Sequence, residues 1–126
     1  PELAARMMMI KQPYNVNVAA DVAARVALEH RGEIMETVSC LIAERERMVR
    51  ELARFGWLKP YPSEANFVLF EVDGREGAEV AAGLRRRGVL VRHYDRDDLR
   101  GCVRISAGRP EDTDRLVAAL LEMEEE

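Results

Sequence analysis

The apolar positions change rhythm along this chain of 126 residues, first at helical spacing and later at strand spacing. "PELAARMMMIK" (1–11) carries a short helical pattern. Pro13 then biases Gln12 toward extended geometry, so a turn is expected there. Valines recur four apart at 18, 22 and 26, with Asn17 placed to cap the helix they predict. Gly32 stands where a C′ glycine would end it. A longer stripe follows: Ile34, Val38, Leu41, Ile42, Val49, Leu52 and Phe55, opposite the charged run "ERER", with Gly56 as the expected stop. Val18–Phe55 therefore predicts two helices in close succession.

Beyond that point the pattern shortens. "KPYPSEA" (59–65), with two prolines, is expected as a loop, and "NFVLFEV" (66–72) is an apolar run of strand length. Glu76–Arg87 fits a helix with Val80 and Leu84 inward, stopped by Gly88. Two short strands come next, "VLVR" (89–92) and "CVRIS" (102–106), joined by the polar "DRDDLRG". Pro110 suits the first position of a last helix whose acidic start, Glu111, Asp112 and Asp114, complements its dipole. Leu116, Val117, Leu120 and Leu121 are its expected buried stripe, and "EMEEE" should fray.

Two helices followed by a β-α-β-β-α module predict an α/β fold, with a small mixed sheet covered by helices. A right-handed crossover makes the first two strands parallel and leaves room for the third between them, antiparallel to both. No Gly-rich turn follows the first strand, which excludes a doubly wound dinucleotide fold.

Composition narrows the function classes. Hydrophobic residues at 48% and charged residues at 33% describe a folded, soluble domain. A net charge of −4 argues against a nucleic-acid surface. No apolar run approaches the roughly 20 residues of a membrane span. The opening Pro1-Glu2, without an initiator Met or a signal peptide, suggests a piece of something longer. Cys40 and Cys102 lack metal or disulfide-framework spacing, and both are expected as buried thiols in a reducing compartment. His30 and His93 have no Glu or Cys at ligand spacing, so no metal is expected. Ser39, Ser63 and Ser106 lack a nucleophile-elbow context. Arg85–Arg87 close a helix, where cations complement exposed carbonyls.

Arg92 and Arg104 are different, because each interrupts a short apolar strand. Successive side chains of a strand alternate between faces. Val103, Ile105 and Ala107 share one face and Arg104 and Ser106 the other, while Arg92 departs from the side of Val89 and Val91. Both arginines therefore leave the core side together. Guanidinium forks bind carboxylate or phosphate in bidentate fashion, and strands hold them firmly. From the residues alone a solvated face and an anion clamp both stay open, and with no base or nucleophile beside the arginines such a clamp would be half a site.

Four stretches in register, "KQPYNVN" (11–17), "PYPSEANFVL" (60–69), "RRGVLVRHY" (86–94) and "GCVRISAG" (101–108), together resemble the C-terminal part of the histidinol-phosphate aminotransferases. That family belongs to the fold-type-I pyridoxal-phosphate enzymes, and "HY" with "KQPYNVNVAA" looks more like its plant, algal and cyanobacterial branch than the enterobacterial one. The resemblance implies a homodimeric enzyme of histidine biosynthesis, converting histidinol phosphate and 2-oxoglutarate into imidazole-acetol phosphate and glutamate. It assigns residues 1–17 to the end of the large cofactor-binding domain and 18–126 to the C-terminal small domain with its leading helices. Arg104 matches the arginine that grips the substrate α-carboxylate, and Arg92 the one that helps hold the substrate phosphate. Histidinol phosphate lacks an α-carboxylate, so its phosphate is expected where Arg104 dominates and Arg92 flanks.

The family's Schiff-base lysine and most cofactor contacts lie upstream of the region matching Pro1. Lys11 and Lys59, the chain's two lysines, lack that lysine's context, so the chain alone is expected to be inactive. The implied compartment is the plastid stroma for a plant or algal source and the cytoplasm for a bacterial one. Two other readings stay open from the residues alone: a regulatory small-molecule-binding module, and a dimerisation piece with the Ile34–Phe55 helix as its surface.

Overall fold

In the computed structural model, residues 2–11 and 16–125 are described; the turn expected at Gln12 and Pro13 lies outside them. The elements are α1 (Glu2–Ile10), α2 (Val18–Glu29), α3 (Arg31–Leu52), β1 (Leu58–Pro60), β2 (Phe67–Val72), α4 (Gly77–Arg86), β3 (Arg92–His93), β4 (Cys102–Ser106) and α5 (Pro110–Glu124). The chain divides into two compact units, Pro1–Glu36 and Thr37–Glu126.

In the first unit, Asn17 caps α2 as expected, its side chain accepting from the Ala20 N–H at 2.8 Å. The helix ends two residues earlier than Gly32. His30 closes it at φ −95° and ψ 25°, with its N–H returned to the Val26 carbonyl at 3.0 Å. Because that conformation needs no positive φ, the chain restarts directly into α3 and Gly32 falls in the first turn of the new helix. No residue of α1 or α2 is buried, and Val18, Val22 and Val26 are all exposed.

The second unit is built on a four-stranded sheet of order β1-β2-β4-β3, in which every neighbouring pair is antiparallel. The middle placement of β4, antiparallel to both β2 and β3, is the arrangement the crossover argument predicts. The edge strand β1 is an addition: Leu58–Pro60 pairs with Phe70–Val72, and its last two residues open the stretch expected as a loop. The strand expected at 89–92 is shorter than its apolar run. Only Arg92 and His93 pair with β4, while Val89 and Val91 pack against the core's margin and Leu90 is exposed.

One face of the sheet carries the core. Val68, Phe70 and Val72 of β2 and Val103 and Ile105 of β4 pack with Met48 and Leu52 of α3, Val80 and Leu84 of α4, and Leu116, Ala119 and Leu120 of α5. The inward stripe of α3 is thus Glu44, Met48 and Leu52, whereas Ile34 and Ile42 are exposed. The helix stops at Leu52, ahead of Gly56, and Phe55 is buried in the turn that follows. On α5 the position expected for Leu121 is taken by Ala119, and Leu121 is exposed. Gly88, at φ +77°, ends α4 as expected.

Candidate functional site

Among the described residues of this unit, the core contacts of α3, α4 and α5 all lie on one face of the sheet, and none of these helices packs its core stripe on the opposite face. Its residues follow from register, since paired positions of an antiparallel ladder project the same way. Arg92 of β3 lies opposite Arg104 of β4, and Arg104 lies opposite Leu69 of β2. Phe67 and Glu71 flank Leu69 on β2, facing Ser106 and Cys102 respectively. The two arginines singled out in the sequence are therefore cross-strand neighbours. Arg92 is exposed and Arg104 half-buried.

Like charges directly opposite one another are destabilising. Here each guanidinium rests against an aromatic ring. The Arg104 Cζ lies 4.9 Å from the Phe67 ring centroid, and the Arg92 Cζ lies 5.2 Å from that of Tyr94. The Nε of Arg104 is shut off from solvent with no acceptor among the described residues. A buried donor left unpaired costs about 1–3 kcal/mol. Nothing in the periodicity of "NFVLFEV" marked Phe67 for this face; it reads as core until the register is known.

Other candidate groups point elsewhere. His93 faces the core side, opposite Val103, and its Nδ1 donates to the Cys102 carbonyl at 3.2 Å. His30 pairs with Glu33 at 3.0 Å in the first unit. Cys102 is buried as expected, and burial together with Glu71 and Asp98 pushes its thiol up, away from thiolate chemistry. Cys40 is exposed instead of buried. It lies on α3 one turn before Glu44, on the same row as Glu44, Met48 and Leu52 but ahead of the part of the helix that is buried.

Lys59 belongs to β1, and its Nζ donates to the Asp73 carboxylate at 2.6 Å. That bond and the charge of Asp73 push the ammonium up. A lysine that attacks a carbonyl must be unprotonated, so this environment opposes such a role. The surface thus offers two cations with a ring beside each: it can bind and orient an anionic ligand.

The family profile described as aminotransferase class I and II matches residues 1–120. The chain belongs to the class I and II aminotransferases. Within that family it is 46% identical over 125 residues to a histidinol-phosphate aminotransferase of Dehalococcoides mccartyi, covering 99% of this chain and 35% of the relative. Among solved structures, it is similar to the histidinol-phosphate aminotransferase of Clostridium acetobutylicum, with a TM-score of 0.83, 25% identity, and coverage of 98% of this chain and 38% of that one. The Sinorhizobium meliloti histidinol-phosphate aminotransferase, solved in complex with pyridoxal-5′-phosphate, gives a TM-score of 0.76 at 28% identity, over 97% of this chain and 34% of that one. This aminotransferase segment spans about a third of the length of the curated relatives it matches. Among the described residues, no helix is long and apolar enough to cross a membrane.

Proposed function

We propose that this chain is the C-terminal part of a pyridoxal-phosphate-dependent histidinol-phosphate aminotransferase, and that it supplies the anion clamp for the substrate. Residues 1–17 are then the end of the large domain and 18–126 the small domain with its leading helices. The observation that carries the reading is the register placing Arg92 opposite Arg104 on the face of the sheet away from the core.

Among the described residues, neither lysine is placed as a cofactor-holding lysine would be. Of the two lysines, Lys59 is held as an ammonium by Asp73, and Lys11 follows α1 on the surface of the first unit. Pyridoxal phosphate, the lysine that holds it and the acid–base groups belong to the rest of the parent enzyme, a homodimer in this reading. This segment's own contribution is orientation. Transamination requires one bond at the substrate's reacting carbon to stand in a fixed direction, and charge-assisted contacts to the anionic group borne beside that carbon fix it. Arg104 grips the α-carboxylate of glutamate or 2-oxoglutarate and dominates the site for the phosphate of histidinol phosphate. Arg92 flanks that phosphate. The parent works in an aqueous compartment, the stroma for a plant or algal source and the cytoplasm for a bacterial one.

The test is single-turnover kinetics of Arg104→Ala and Arg92→Ala in the full-length enzyme, with each amino donor in turn. A hydrogen bond to a charged group is worth about 1.5–3 kcal/mol, or roughly tenfold to a hundredfold in rate. Arg104→Ala should lose that much with glutamate and histidinol phosphate alike. Arg92→Ala should lose more with histidinol phosphate than with glutamate. Equal losses in Arg92→Ala would remove its phosphate-specific role, and full activity in Arg104→Ala would return both arginines to a solvated surface.

A further inference from the structure

The anion-clamp reading leaves open what holds the two guanidiniums in place. Among the described residues neither Arg92 nor Arg104 has a carboxylate or carbonyl partner, whereas Arg47, Arg54, Arg87, Arg96 and Arg100 all have one. An arginine side chain without a partner samples many rotamers, and ordering it on ligand binding costs affinity. We propose that Phe67 and Tyr94 are positioning residues for the clamp, each ring fixing the plane of one guanidinium; this rests on the role proposed for the arginines.

Geometry supports a dedicated pairing. Phe67 is opposite Ser106 on β4, two residues from Arg104, so it meets Arg104 across the diagonal of the ladder. Tyr94 stands two residues beyond Arg92, just past the end of β3, with its ring against the Arg92 guanidinium. Because β3 and β4 are antiparallel, Phe67 lies toward the Ser106 end of the face and Tyr94 toward the Cys102 end. The rings therefore draw the two cations apart along the strands, which relieves the repulsion between guanidiniums carried on directly opposed positions. Stacking occupies a guanidinium's face and leaves its N–H edges free for oxygen atoms. The clamp is thereby assembled before substrate arrives.

Double-mutant cycles in the full-length enzyme test this. Phe67→Leu keeps an apolar side chain of similar size but removes the ring face, and Phe67→Tyr keeps it. Phe67→Leu should lower kcat/KM for glutamate and histidinol phosphate by about two- to fivefold, mainly through KM, with Phe67→Tyr close to wild type. In an Arg104→Ala background the same change should cost nothing further, because its effect passes through Arg104. Tyr94→Leu should behave likewise with Arg92→Ala, while Phe67→Leu and Arg92→Ala should combine additively. Melting temperatures measured alongside separate a loss of folding from a loss of positioning. Full kcat/KM in Phe67→Leu, or an equal loss with and without Arg104, would overturn the proposal and leave the clamp standing. Full activity in Arg104→Ala would overturn the clamp itself, and the proposal with it.

Discussion

Gly77, at the start of α4, shows how closely backbone and side chains meet behind the arginine face. A Cβ there would stand 2.7 Å from the Arg100 carbonyl oxygen, 3.0 Å from that of Cys102 and 3.0 Å from the His93 Nδ1. Two of these three are backbone atoms that cannot swing aside. Gly77→Ala should therefore destabilise the fold by about 1–3 kcal/mol, despite alanine's better helix propensity, as read from denaturant unfolding. A stabilised variant would mean that the 95–101 loop gives way freely. At this scale the arginine pair was legible in the sequence, because a strand's two-residue alternation leaves no freedom over which side Arg104 takes. Phe67 was not. In "NFVLFEV" both faces are apolar, so only pairing with β4 decides that Val68 and Phe70 go inward and Phe67 and Leu69 outward.

The elements are tied together by a buried polar cluster that apolar periodicity did not reveal. Glu44 of α3 accepts from the hydroxyl of Thr113 on α5, and Arg47 donates to Glu44 (3.0 Å), to Asp114 (2.8 Å) and to the Pro110 carbonyl (2.6 Å). Arg47, followed by the Thr113 hydroxyl, holds the Glu44 carboxyl below the usual carboxylate range against the opposing effect of burial. A carboxylate with a depressed folded-state pKa stabilises the fold above its unfolded value, about 4.3, and loses that contribution as pH falls through the folded one. Melting temperature should accordingly drop as pH is lowered from about 5, and Glu44→Gln should flatten the acid limb. Glu44→Ala should cost about 1–3 kcal/mol at neutral pH by leaving Thr113 without its acceptor. An unchanged acid limb in Glu44→Gln would show that other carboxylates govern it. Helix order, the Gly88 stop and the central place of β4 were all readable from periodicity and chain connectivity. The stripe of α3 was misjudged because a glutamate occupies a core position, and β1 was missed because three residues containing a lysine and a proline carry no strand rhythm.

Across the whole molecule, apolar surface is unevenly distributed. Met7, Met8, Met9 and Ile10 of α1 and Val18, Val22 and Leu28 of α2 are all exposed, in helices that bury nothing. Exposed apolar side chains in such number drive association. The isolated chain should self-associate at micromolar concentration and bind an apolar dye. Removal of residues 1–36 should reduce both effects, with sedimentation velocity as the measure. A monomer without dye binding would contradict this. The sheet constrains what such assemblies become. One of its borders is a three-residue strand ending in Pro60, and the other is the two residues Arg92 and His93. A proline cannot donate to an incoming ladder, and a two-residue edge carrying a cation offers little template for one. Growth by strand addition is closed at both sides. Whatever the chain forms when its sticky helices meet should dissolve on dilution and leave thioflavin dark.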